Sequence, residues 1–192
     1  MEKTTQHTQS QLTKVVFYGP ESTGKTTLAQ TLAKQHQTQW VPEFAREYLQ
    51  NKYNKTGKAC EPSDIMPIAE GQMALENKQA KTSNQYLFCD TNLLETYVYA
   101  RVYFPDKDFS RLKSLALSQD YDYYFLTDID TPWEADDLRD KPNERQEMFN
   151  VFRNYLIKYD KNFCILSGDL EQRLSKVNKI LQTNNYATFL KR

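Results

Sequence analysis

Five glycines, three cysteines and two histidines are the full complement of those residues in this 192-residue chain, and each scarcity excludes something. Cys60, Cys89 and Cys164 are odd in number, far apart and without a C-x-x-C pair. Neither a disulfide framework nor a thiolate zinc site is expected from them. Cys89 and Cys164 lie in apolar runs and read as buried thiols of a reducing compartment. His7 and His36 are too few for a histidine metal cluster. No stretch approaches the about 18 apolar residues of a membrane helix. The first thirteen residues are polar, so they read as a flexible tail with no signal-peptide core, and a cytoplasmic location is expected. Lys+Arg and Asp+Glu are both 25 and the formal net charge is zero. No basic field draws this chain to nucleic acid or to an anionic membrane.

Two of the few glycines stand six residues apart, counted inclusively, in Gly19-Pro20-Glu21-Ser22-Thr23-Gly24-Lys25-Thr26-Thr27. The segment follows the apolar run Val15–Tyr18 and precedes Leu28-Ala29-Gln30-Thr31-Leu32-Ala33, which has helical spacing. This is G-x-x-x-x-G-K-[ST] between a strand and a helix, the context a P-loop requires. Its amides make an anion nest, and the helix that follows adds the positive end of its dipole. Lys25 is expected to reach the β- and γ-phosphates of a nucleoside triphosphate, and Thr26 to ligate Mg²⁺. Glu21, Ser22, Thr23 and Thr27 complete the expected nucleotide-binding set.

Strand and helix patterns alternate through the rest of the chain. Strands are predicted at Val15–Tyr18, Gln39–Val41, Tyr86–Cys89, Tyr123–Thr127 and Phe163–Leu166. Helices are predicted at Lys25–Gln35, Phe44–Asn51, Met66–Lys81, Leu93–Tyr103, Ser110–Ser118, Glu144–Tyr159 and Asp169–Gln182. This rhythm predicts an α/β protein: a three-layer α/β/α P-loop NTPase with a parallel five-stranded sheet. One domain is expected over 14–192, with a small helical lid at about 128–146. Residues 52–63 read as a surface loop.

Open parallel sheets bind ligands beyond the carboxyl ends of their strands, so the polar residues there are the candidates. Asp90 ends the run Tyr86-Leu87-Phe88-Cys89 in the manner of a Walker B acid and is the expected Mg²⁺ partner of Thr26; it is otherwise a helix N-cap. Glu43 is the candidate general base for a hydroxyl acceptor. Arg46 is placed to contact a phosphate or to fix Glu43, though Glu43, Arg46 and Glu47 are also spaced as surface pairs on a helix. In Trp133-Glu134-Ala135-Asp136-Asp137-Leu138-Arg139, and at Arg145, the arginines are candidates to neutralise charge on a transferring phosphoryl group as a lid closes.

These motifs occur with Val41-Pro42-Glu43-Phe44-Ala45-Arg46-Glu47-Tyr48, Ile68-Ala69-Glu70-Gly71-Gln72 and Phe88-Cys89-Asp90-Thr91-Asn92. The set resembles the ribosylnicotinamide kinase domain of NadR-type proteins over nearly all of the chain after residue 13. The resemblance implies an adenylate-kinase-like fold, ATP and Mg²⁺ as cofactors, and phosphorylation of the 5′-hydroxyl of nicotinamide riboside. It implies catalytic roles for Lys25, Glu43, Asp90 and Arg139. Nucleotide contacts are implied for Arg139 and Arg145, and acceptor contacts for Glu43, Arg46, Gln72, Asp90, Asn92 and Trp133. Two features depart from the family. No H-x-G-H adenylyltransferase motif exists here, and Pro42 stands where an aromatic residue is expected before the acid, with Trp40 two residues earlier. A non-kinase ATPase switch and a kinase of another nucleoside stay open at this stage. A guanine-nucleotide switch is disfavoured, because no aspartate has glycine three residues later and Asn51-Lys52-Tyr53-Asn54 lacks the final acid of N-K-x-D.

Overall fold

The computed structural model describes residues 12–136, 138 and 143–183. Five strands form one parallel sheet: β1 (Thr13–Tyr18), β2 (Gln39–Val41), β3 (Tyr86–Asp90), β4 (Tyr123–Thr127) and β5 (Phe163–Leu166). Their order is β2-β3-β1-β4-β5. Seven α-helices connect and cover them: α1 (Lys25–Gln35), α2 (Phe44–Thr56), α3 (Ile65–Ala80), α4 (Leu93–Tyr103), α5 (Ser110–Ser118), α6 (Arg145–Lys158) and α7 (Leu170–Thr183). This is a three-layer α/β/α architecture.

Burial of the sheet on both faces explains why its strands read as nearly continuous apolar runs. Alternate residues of β1 point to opposite layers. Val15 and Phe17 pack with Leu28 and Leu32 of α1 and with Val177, Ile180 and Leu181 of α7. Val16 and Tyr18 pack with Leu93, Leu94 and Val98 of α4 and with Phe149, Phe152 and Leu156 of α6. Across the sheet the rings of Phe88, Phe17 and Phe125 stack, with centroids 6.4 and 5.9 Å apart. Register pairs Phe17 with both Asp90 and Phe125. The ends of β1, β3 and β4 are thereby brought level, and the chain order diverges to either side of β1, which opens the ligand crevice of a doubly wound sheet.

One predicted boundary moves by more than two residues. The segment after Asn51 is polar but continues as α2 to Thr56 and stops only at Gly57, whose φ is 67° and whose N–H bonds the Tyr53 carbonyl at 2.8 Å. Lys52 explains the extension, since its ammonium bonds Asp64 at 2.5 Å and Glu61 at 2.6 Å and ties this last turn to the start of α3. Among the described residues of 128–144 no helix is assigned, and α6 begins at Arg145. No helix among the described residues is long and apolar enough to cross a membrane.

Candidate nucleotide and acceptor site

The turn after β1 needs both of its glycines. Gly19 has φ 141°, and a Cβ there would lie 2.9 Å from the Thr127 hydroxyl. Gly24 has φ 82° and forms the left-handed corner from which α1 starts; an L side chain is strained at either φ. Ser22 adopts the left-handed region as well, at φ 57°. Successive amides in a turn that mixes right- and left-handed residues face one centre and make an anion nest.

Thr23 anchors the middle of the loop. Its buried hydroxyl lies 2.8 Å from the Pro20 carbonyl and 2.7 Å from the Thr127 hydroxyl. Lys25 is also buried. Its ammonium donates to the carbonyls of Gly19 at 2.7 Å and Pro20 at 2.8 Å, and it lies 3.1 Å from Glu95 Oε1. Burial works against its charge, but Glu95, then Glu43 and Asp90, outweigh that and hold its pKa above the ordinary lysine value.

Asp90 ends β3 beside the loop. The Thr26 hydroxyl donates to its Oδ2 at 2.5 Å. Burial, then the charge of Glu43, pushes its pKa up to about 6. Its other oxygen, Oδ1, is buried without a hydrogen-bond partner. Thr91, at φ 70° with its N–H on the Phe17 carbonyl at 3.1 Å, turns the chain sharply after it. A β-branched residue in that region stores about 1–3 kcal/mol of strain, a common property of sites that fix one side chain. The orphan oxygen beside a hydroxyl suits a hard cation: Thr26 and Asp90 would hold Mg²⁺, with phosphate oxygens and water completing its shell. Among the described residues no cluster of three or more His, Cys, Asp or Glu could hold a metal by itself.

A cavity of about 850 Å³ opens onto this wall, within the size range of small-molecule sites. The loop residues Glu21 to Thr27, Asp90 and Glu43 line it, together with Leu49, Tyr53, Ile68, Tyr99, Tyr103 and Phe104. Glu43 immediately precedes α2, close enough for its charge to act on Asp90 and Lys25. Arg46 pairs with Asp136, so its contact in this structure is to the lid segment. That segment rests on the loop at Ser22. The Thr131 hydroxyl bonds the Ser22 carbonyl at 2.8 Å, and the Glu134 N–H bonds the Ser22 hydroxyl at 2.9 Å.

Five expected site residues sit elsewhere than the cavity wall, Gly19 at the root of the loop among them. Gln72 is buried behind it: its Oε1 accepts from Phe44 N–H at 2.7 Å, and its Nε2 donates to the Pro42 carbonyl at 3.2 Å. It grips the backbone on both sides of Glu43 and is not placed to touch an acceptor. Asn92 is buried as the N-cap of α4, accepting from Glu95 N–H at 3.2 Å and donating to the Tyr124 hydroxyl at 3.2 Å. Trp133 lies under the Arg145 guanidinium, 5.8 Å from ring centroid to Cζ. Arg145 itself bonds the carbonyls of Thr131 at 2.8 Å and Ser22 at 3.1 Å, joining lid root to loop. Arg139 lies outside the described residues.

Two residues that sequence reasoning passed over stand at the centre. Glu95 of α4 is buried, and burial pushes its pKa up to about 8 against the pull of Lys25. Asn92-x-x-Glu95 has capping-box spacing, yet the carboxylate accepts instead from Gly19 N–H at 3.0 Å; an acid in the apolar run Leu93–Val98 was the available signal. Arg173 of α7, only 2% exposed, donates to the carbonyls of Thr23 at 2.6 Å and Gly168 at 2.8 Å and pairs with Asp130. It ties together the P-loop, the lid root and the turn after β5. Its signal was weak, because a lone arginine on a charged helix ordinarily reads as surface.

Comparison with known proteins agrees with this geometry. The family model AAA_28, described as an AAA domain, matches residues 14–173. The trifunctional NAD biosynthesis/regulator protein NadR of Salmonella typhimurium is 28% identical over 144 residues, 75% of this chain. That of Escherichia coli is 29% identical over 139 residues, 71% of this chain. This chain spans about a third of those relatives, 34% in each case. Among solved structures, a NadR protein in complex with NR superposes with a TM-score of 0.75 at 25% identity, covering 88% of this chain and 51% of that one. Thymidylate kinase from Candida albicans, at TM-score 0.64, 16% identity and coverage of 94% and 95%, shares the fold.

Proposed function

The chain belongs to the AAA_28 family of AAA domains, and from that premise we propose that it is an ATP- and Mg²⁺-dependent kinase that phosphorylates the 5′-hydroxyl of nicotinamide riboside to give nicotinamide mononucleotide. One observation carries the reading: Lys25, the Thr26–Asp90 pair and Glu43 line a single cavity together with apolar and aromatic side chains. A nucleotide switch needs the first three; a further carboxylate with aromatic lining in the same cavity suits an acceptor. The likeness to NadR proteins, one of them in complex with NR, supports this acceptor.

In the proposed reaction the loop amides and Lys25 hold the triphosphate. Glu43 orients the acceptor hydroxyl and takes its proton as the oxygen bonds the γ-phosphorus. The bond from that phosphorus to the β–γ bridging oxygen breaks and ADP leaves. Thr26 and Asp90 would hold Mg²⁺, which would supply positive charge against that developing on the phosphates. The lid at about 128–146, with Arg139, closes over the phosphates and excludes water.

The test is incubation with Mg·ATP and nicotinamide riboside, with ADP release and product mass followed together. Stoichiometric ADP and a phosphorylated riboside are expected. ADP release unaffected by nicotinamide riboside and by a panel of nucleosides would replace this reading with an acceptor-free ATPase.

A further inference from the structure

Glu95 bridges the two ends of the P-loop. One carboxylate oxygen accepts the Gly19 N–H at 3.0 Å, where the loop begins, and the other lies 3.1 Å from the Lys25 ammonium, where it ends. Both side chains are nearly closed to solvent, at 3% for Glu95 and 9% for Lys25. Lys25 is folded back as well onto the Gly19 and Pro20 carbonyls, so its charge is directed at the root of its own loop. To meet β- and γ-phosphates the ammonium must leave these partners, Glu95 being the one able to carry a full charge, as it does above pH about 8. A buried acid in contact with this lysine makes an attraction that a polyphosphate has to overcome.

We propose that Glu95 is a positioning residue that holds Lys25 in reserve at the base of the loop and competes with the polyphosphate for it. Two functions reside in one carboxylate. Its bond to Gly19 N–H braces the loop whether or not nucleotide is bound, and its charge sets how readily Lys25 is released. The residue acts through Lys25. This inference rests on the proposed nucleotide site and does not depend on which acceptor is used.

Substitution separates the two functions. Glu95→Gln keeps an acceptor for Gly19 N–H and removes the charge, so at pH 9, where Glu95 is ionised, its Kd for Mg·AMP-PNP, read by calorimetry, is expected to fall about five- to tenfold, the size of a close coupling between neighbouring groups. Glu95→Ala removes both, and a lower Tm is expected. The decisive measurement is the same Glu95→Gln change in a Lys25→Met background, where its effect on Kd should disappear. A residue with only a structural role would lower affinity when altered, or change it equally in both backgrounds, and either result overturns the proposal. Wild-type protein that binds no Mg·AMP-PNP overturns it too. Wild-type protein that binds the analogue but phosphorylates no acceptor overturns the kinase reading alone, and the Kd of Glu95→Gln then still decides for or against the role of Glu95.

Discussion

Thr26 and Asp90 meet where β1 and β3 end side by side: the threonine hydroxyl donates to Asp90 Oδ2 at 2.5 Å, and Asp90 Oδ1 is buried with no partner. An unsatisfied carboxylate oxygen is costly in a buried position, and a divalent cation is the partner that its charge and hardness suit. Asp90→Asn keeps the shape and loses the charge. Its affinity for the Mg²⁺ complex of a nucleotide should fall on the order of tenfold or more, while affinity for the metal-free nucleotide stays near wild type. Titration calorimetry with and without EDTA checks this; equal losses in the two conditions would remove Asp90 from the metal.

The same site predicts a pH dependence. Burial and Glu43 raise Asp90 to about 6, and burial raises Glu95 to about 8. The folded state therefore holds these protons more tightly than the unfolded chain does. Their contribution to stability is complete below the ordinary carboxylate values and is lost as pH rises through about 6 for Asp90 and about 8 for Glu95. The Tm of free protein should decline across that window by an amount that Asp90→Asn and Glu95→Gln each reduce. Nucleotide binding with Mg²⁺ runs the other way: it needs ionised Asp90 and should weaken as pH falls through about 6. Thermal melts at pH 5 to 8, with and without Mg·AMP-PNP, read both trends, and parallel curves in the two series would contradict the assignment.

How far these features could be read in advance depended on whether their cause was local. Gly19, Gly24, Lys25 and Thr26 are fixed by the stereochemistry of one turn, so spacing alone located them. The five strands were legible because burial on both faces leaves an apolar run. Glu95 and Arg173 were not, because their partners Gly19, Lys25 and Thr23 lie 70 to 150 residues away in sequence, and nothing local distinguishes a buried acid or arginine from a surface one. Gln72 was read as an acceptor contact, yet its amide is consumed by the backbone at Pro42 and Phe44. The end of α2 was misplaced because polar residues 52–56 suit a solvated helix as well as a loop, and it is the Lys52–Asp64 pair that decides.

Lys25→Ala should abolish turnover and leave the fold in place. The substitution removes the cation that Glu95, Glu43 and Asp90 surround, so the γ-phosphate loses its charge partner as three acids remain. A loss of about a thousandfold or more in kcat/KM is expected from deleting such an electrostatic contact. Far-ultraviolet circular dichroism should be unchanged. Wild-type rates in this variant would refute the phosphate-binding assignment.

Glu43→Gln isolates the proton acceptor from the nucleotide site. Glutamine preserves size and can still orient a hydroxyl, but it accepts no proton. The expected result is a fall in kcat of about 10²–10⁴-fold with little change in the Kd for Mg·AMP-PNP. A normal kcat would transfer the base role to Asp90, which faces the same cavity.

Glu43 is held in place from behind, and Gly71 is where that support can be probed. A Cβ on Gly71 would lie 2.2 to 2.5 Å from three ring carbons of Phe44, the residue that follows Glu43 and whose N–H is held by Gln72. Gly71→Ala must displace that ring, at about 1–3 kcal/mol of overpacking, and with it the start of α2. Tm should drop, and kcat should fall further than nucleotide affinity, because the displaced element carries Glu43 and not the P-loop. Adding Phe44→Leu, which shortens the obstructing side chain, should restore part of both losses. If Gly71→Ala weakened nucleotide binding as much as turnover, or if Phe44→Leu made matters worse, the packing of α2 on α3 would not be what positions Glu43.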